Sequence, residues 1–235
     1  MMARRLGLVT VLSLTAAIAV PAPALAVSAD SKVSVGSPAS PYLPNASNEP
    51  ALAMDANHPE VLAAGANDLV DSSPCKGSSC DLTPDIGISG IYFSFDSGTT
   101  WTQPTYTGLT AQTGTTHIGD IHTLPHYFEN GMSSHGDPAL AFGPRPGPGG
   151  FSWANGSRLY YANLAFPLTG QTPFPGASAA TVSRTDNVQA AAAGNQGAWM
   201  DPVIVTRQNA ALLSDKEDIW ADNAASSRFF GNVYV

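Results

Sequence analysis

Short apolar runs alternate along this chain with clusters of Gly, Pro, Ser, Asn and Asp. Val61-Leu62-Ala63-Ala64-Gly65, Gly90-Ile91-Tyr92-Phe93, Leu159-Tyr160-Tyr161-Ala162-Asn163 and Asn232-Val233-Tyr234-Val235 are such runs, and no stretch has the pattern of a long amphipathic helix with charged pairs. Apolar and aromatic segments cut by turn residues predict an all-β protein. One segment recurs. Glu49-Pro50-Ala51-Leu52-Ala53-Met54-Asp55 returns as Asp137-Pro138-Ala139-Leu140-Ala141-Phe142-Gly143, and more loosely as Lys216-Glu217-Asp218-Ile219-Trp220-Ala221-Asp222. Each copy precedes a turn and a further strand-like run. Repetition at this scale marks a propeller or a solenoid.

Taking each copy as a blade of four antiparallel strands gives a consistent layout. Blade one covers 49–106, with strands near 50–55, 61–66, 89–95 and 100–106. Blade two covers 137–205, with strands near 138–142, 157–165, 178–184 and 199–205. Blade three starts within 216–235, and its second strand begins near 231. About two and a half blades do not close a ring, since propellers use at least four. The expectation is an incomplete propeller belonging to a longer protein, in preference to a half-ring completed by self-association.

The densest local signal is Ser94-Phe95-Asp96-Ser97-Gly98-Thr99-Thr100-Trp101. Asp96 is placed to accept from backbone N–H groups ahead of it, Gly98 to take positive φ, Ser94 to tie its hydroxyl across the turn, and Trp101 to fold over the hairpin. This S-x-D-x-G-x-x-W pattern resembles the Asp-box of the sialidase-like (BNR-repeat) β-propellers, and Ser94, Asp96, Gly98 and Trp101 match all four signature positions. The resemblance implies a sialidase-type propeller over residues 49–235, with the box on the third-to-fourth turn of blade one, away from any catalytic centre. Asp186 and Trp199 look like a degenerate second box, in which Arg184 stands where Ser belongs and an Ala-rich insert separates the halves. Sialidases of that superfamily use three arginines, a Tyr–Glu pair and an Asp acid/base. The F-R-I-P-type arginine motif is absent here, so the likeness speaks for fold more than for sialidase activity.

The first residues change where the protein is expected to act. Arg4 and Arg5 precede an apolar run from Leu6 to Val20, then Ala24-Leu25-Ala26, the layout of a secretory signal peptide over 1–26. The run is too short for a membrane span. Residues 27–48, rich in Ser, Pro and Ala, read as an extended lead-in. Loss of Arg4 and Arg5 with the leader takes the net charge from −8 to −10. So acidic a chain argues against nucleic acid and anionic membrane as partners. In a secreted chain Cys75 and Cys80 are expected to form one short disulfide loop.

Blade connectivity sorts the loops by face. The insertions Asn67–Gly87 and Thr107–Gly136, with the inner-strand starts Glu49, Asp137 and Lys216, fall on the face opposite the Asp-box. Candidate ligand-face residues are Glu49, Asp68, His117, Asp120, His122, His126 and His135. Imidazoles interleaved with carboxylates suit a transition metal. The spacing matches no metal motif, so the segment is read as a polar surface loop with no metal and no cofactor. Asp137, beside His135 at the mouth, is the candidate catalytic residue, as a general acid. Glu49 at the equivalent place in blade one gives the competing reading, a strand cap. Phe151-Ser152-Trp153-Ala154-Asn155-Gly156 offers aromatic rings for stacking on sugars, or a hairpin turn at Asn155-Gly156. Two function classes follow: a secreted glycoside hydrolase of the sialidase-like kind, or a non-catalytic propeller that binds polysaccharide, a cell-surface glycan or protein.

Overall fold

A computed structural model describes residues 30–37, 47–77, 80, 82–206, 211 and 213–235. The expected leader at 1–26 and much of the expected lead-in at 27–48 lie outside these residues. The described chain is all-β. Strands β1 (Asn48–Asp55), β2 (His58–Asn67) and β3 (Ser89–Ser94) form an antiparallel meander. A hairpin of β4 (Tyr106–Thr110) and β5 (His117–Ile121) stands beside it as a separate two-stranded sheet. The second large sheet holds β6 (Met132–Ser134), β7 (Ala139–Gly147), β8 (Gly150–Pro167), β9 (Ala179–Thr185) and β10 (Trp199–Ile204). In it β7, β8, β9 and β10 follow one another as an antiparallel meander, and β6 pairs with the far end of β8. β11 (Trp220–Ala221) and β12 (Val233–Tyr234) make a third, small sheet. Among the described residues no sheet closes on itself, and no helix is long and apolar enough to cross a membrane.

Three sequence expectations need correction. The strand expected near 100–106 is only a bridge, in which Phe93 and Thr102 exchange backbone hydrogen bonds of 2.9 and 2.8 Å. Pro104 cannot donate to a ladder, and the chain leaves the sheet to begin β4. The segment 107–136 is not a plain loop, because it supplies β5 and β6. Asn155-Gly156 does not turn a hairpin either. Register jumps from Pro144↔Ser157 to Arg145↔Ser152, so residues 153–156 form a wide bulge and the turn falls between Gly147 and Gly150. The Asn155 amide nitrogen fastens that bulge, donating to the Arg145 and Gly150 carbonyls at 3.1 Å each.

The sheets stack on one another, and the repeat sets which residue points which way. Ala53, Val61, Ala63, Ile91 and Phe93 of the first sheet share a core with Phe142, Leu159, Tyr161 and Trp199 of the second, and Leu140 packs against it. The opposite face of the second sheet places Tyr160, Ala162 and Val182 against Ile219, with Ala139, Ala141 and Val233 packed alongside. Strand alternation therefore gives equivalent positions equivalent partners. Leu140 and Ile219 both look back toward the sheet before them, and Ala53 and Ala141 look forward. Tyr161 crosses the first interface to donate to the Gly90 carbonyl at 2.8 Å. Gly65 permits this approach, since a Cβ there would lie 2.7 Å from the Tyr161 hydroxyl.

Candidate functional site

The three repeated strand starts meet in space. Glu49, Asp137 and Lys216 all hold left-handed backbone, with φ of 52°, 49° and 57°. Non-glycine residues rarely adopt this conformation, and it stores of order 1 kcal/mol or more at each position. The Lys216 ammonium lies 3.0 Å from Glu49 Oε1 and 3.0 Å from Asp137 Oδ2. Asn67, at the end of β2, holds Asp137 from the other side. Its Oδ1 accepts from the Asp137 backbone N–H at 2.7 Å, and its Nδ2 donates to Asp137 Oδ1 at 3.2 Å. Gly136 makes room for this clasp, because a Cβ there would fall 2.0 Å from Asn67 Oδ1. Partial burial works against ionisation of Asp137. The Lys216 ammonium and the Asn67 amide outweigh it and hold the carboxyl below the usual range.

The next residue breaks the repeat. Where the first two copies have Pro50 and Pro138, the third has Glu217. Both of its carboxylate oxygens are enclosed, and neither has a hydrogen-bond partner. Burial pushes this carboxyl up to about 7; its own backbone N–H and the Lys216 ammonium oppose the shift, and the negative charges of Asp137 and Asp215 add to it. Its negative charge also disfavours ionisation of the buried phenols of Tyr127 and Tyr161, although burial is the main cause there.

The other candidates go to different places. Asp68 is buried and fully occupied: Oδ2 accepts from Ser37, Tyr92 and Gln103 at 2.6, 2.7 and 2.9 Å, and Oδ1 caps the 3-10 turn at Val70 N. It ties the lead-in to the first sheet and presents nothing to a ligand. His122 belongs to Asp71, a fully buried carboxylate the sequence reading passed over. The His122 N–H donates to both Asp71 oxygens at 3.0 Å, the Thr123 hydroxyl donates to Oδ2 at 2.7 Å, and His122 Nδ1 lies 3.4 Å from Oδ1. Burial pushes Asp71 up, and contact with Asp71 raises the imidazole in turn. His126 bonds the Gln196 carbonyl through Nε2, and His117 bonds the Thr115 carbonyl through Nδ1. Asp120 is exposed on β5, opposite Thr107. His135 stacks on Phe166 at 3.9 Å, and burial lowers its pKa. Among the described residues no three His, Cys, Asp or Glu side chains gather as a metal site.

No protein-family model matches the chain, and no curated protein matches it.

At Ser94–Trp101 the side chains close the turn as their types predict. The Ser94 hydroxyl donates to Asp96 Oδ1 at 2.8 Å and accepts from Gly98 N at 2.9 Å. Asp96 accepts from Thr100 N at 2.8 Å and Thr100 Oγ1 at 2.6 Å. Those Thr100 bonds hold the Asp96 carboxyl below the usual range. Gly98 has φ of 85°. The Trp101 indole N–H returns to the Gly98 carbonyl at 3.1 Å, and its half-buried ring packs with Val33 on Ala64, Ala66 and Tyr92. Asp186 does not repeat this. It is bound bidentately by Arg158, at 2.6 and 2.8 Å, while helix α1 (Val188–Ala192) and a 3-10 turn fill the insert. Trp199 instead donates to the Tyr106 hydroxyl at 2.8 Å. Cys75 and Cys80 are joined as a disulfide.

Proposed function

We propose that this chain is a secreted protein of the sialidase-like β-propeller kind that binds a glycan where Glu49, Asp137 and Lys216 meet. The meeting of three repeat-equivalent strand starts around one ammonium carries this reading. Successive blades set about a common axis bring their inner-strand starts together in this way. The closed Ser94–Trp101 turn supports the same fold. Carboxylates fixed at the mouth of a rigid scaffold accept hydrogen bonds from sugar hydroxyls. Asp137 is ion-paired and stays ionised at neutral pH, which fits an acceptor and not a proton donor. Binding is thus favoured over hydrolysis at that residue.

The glycoside-hydrolase reading rests on a different group, Glu217, whose carboxyl lies near 7 and suits a general acid. A glycan-array screen followed by titration calorimetry on wild type, Glu49→Gln and Asp137→Asn tests the site. Loss of affinity with unchanged melting supports it; unchanged affinity in both variants rules the location out. Release of reducing sugar that disappears in Glu217→Gln would transfer the assignment to hydrolysis. Intact-mass analysis of exported protein tests secretion, with an N-terminus at Val27 as the expected result.

A further inference from the structure

The third strand start departs from its sisters at one position, and that position is enclosed. Pro50 and Pro138 follow Glu49 and Asp137, whereas Glu217 follows Lys216. Each carboxylate oxygen of Glu217 exposes less than 1 Å² and has no hydrogen-bond partner. Neither water nor a further stretch of polypeptide reaches these oxygens where they stand. The charges that act on the group are Asp137 at the start of β7, and Asp215 and Lys216 on its own segment; it acts in turn on the phenols of Tyr127 and Tyr161. Asp218, next along, is occupied in accepting from the Ile219 N–H at 2.8 Å. A protonated carboxyl is tolerated in such a place, but a carboxylate there is a buried charge without a donor. The residue before it is only lightly held. Lys216 has strained, left-handed backbone, and its exposed ammonium spans Glu49 and Asp137 at 3.0 Å each. Ion pairs open to solvent hold weakly.

We infer that Glu217 is a proton-operated latch on the junction: protonated, it stays enclosed while Lys216 bridges Glu49 and Asp137, and on losing its proton it turns out to water and takes Lys216 off both carboxylates. The hinge is Lys216 itself, whose φ of 57° relaxes as the segment turns. Enclosed, the carboxyl titrates at about 7; turned out, it returns to its ordinary 4.5. The turned-out form is therefore favoured progressively as pH rises from 4.5 to 7, and the gain levels off above that. Asp137 has an ordinary value of 3.8 and is held lower still by Lys216 and Asn67, so it stays ionised across this window. Opening leaves a junction of two unbridged carboxylates, Glu49 and Asp137. The latch is independent of whether a glycan binds there.

Hydrogen exchange on the complete protein, corrected for the intrinsic pH dependence of exchange, follows local opening directly. Opening at the amides of residues 214–219 is expected to increase about tenfold between pH 5 and 7, while β8 and β9 keep their protection. Glu217→Gln keeps the shape and cannot ionise, so its segment is expected to stay closed at both pH values. Glu217→Pro, the residue of the two sister copies, serves the same purpose if the glutamine variant melts early. Lys216→Met removes the bridge and is expected to open the same amides already at pH 5. Equal protection of wild type at both pH values overturns the latch. So does a loss of protection shared by β8 and β9, which would be global destabilisation without local opening. A pH dependence unchanged in Glu217→Gln also overturns it, and passes the effect to His135, whose imidazole feels Asp137 as well.

Discussion

The enclosed carboxyl of Glu217 makes stability depend on pH in a direction opposite to that of most acidic residues. An ordinary glutamate titrates at 4.5, and here burial raises it to about 7. Between those values the unfolded chain releases a proton that the folded chain keeps. Glu217 therefore costs nothing below 4.5, and the destabilisation grows as pH rises, levelling off above about 7. At about 1.36 kcal/mol per pH unit the full gap corresponds to roughly 3 kcal/mol, and because the residue is only half-buried about 1–3 kcal/mol is expected. Glu217→Gln keeps the shape and removes the titration. Urea unfolding of wild type and variant from pH 5 to 8 measures the difference. The variant should gain little at pH 5 and become the more stable protein by pH 8. A variant less stable than wild type at pH 8 would refute the reasoning, since it would mean that ionised Glu217 has a favourable partner.

Replacing Lys216 by Met should raise the Asp137 pKa, because the ammonium at 3.0 Å is removed; carboxyl-carbon NMR titration reads this, and an unmoved Asp137 contradicts the clamp. Asp71→Asn removes a buried acceptor of several hydrogen bonds and should cost about 1–3 kcal/mol by chemical denaturation. Contact with Asp71 raises His122 above its ordinary 6.5, so the imidazole's contribution is fully present below that value and fades as pH rises through its folded pKa; burial raises Asp71, whose own ionisation works in the opposite direction. Asp71→Asn should abolish that part of the pH profile, and an unchanged profile counts against the pair. Trp101→Ala deletes a half-buried ring and one indole hydrogen bond, and should cost about 1–3 kcal/mol without altering ligand affinity. An equal melting temperature for the two proteins would contradict its bracing role.

What the sequence revealed was local or repeated. The Ser94–Trp101 turn needs only neighbouring residues, so its hydrogen bonds follow from residue type. The E-P-A-L-A and D-P-A-L-A copies exposed the strand starts because the same backbone problem is solved the same way each time. Lys216 was visible as the third member, but not as an ammonium bridging the other two. That contact joins residues 167 positions apart in the chain, Glu49 to Lys216, and no spacing rule encodes it. Glu217 left a signal that was available, a carboxylate where two sister copies have proline. Asp71 left none. The histidines misled for the converse reason: their closeness in sequence hid that the β4–β5 hairpin and the turn at residues 128–130 send them to Asp71, Gln196 and Phe166 separately.

The alternation of backward- and forward-looking residues has a consequence for how the molecule assembles during synthesis. Each meander is wound from consecutive strands, so it can form from local chain, whereas its apolar faces are buried only when the next meander arrives. Order then accrues from the amino-terminal side, one sheet serving as template for its successor. The middle sheet, covered on both sides, becomes the most protected part of the polypeptide. Growth by template also leaves the newest face apolar at every stage, so a pause after the second sheet would display Tyr160, Ala162 and Val182 to any quality-control machinery that reads exposed hydrophobic surface.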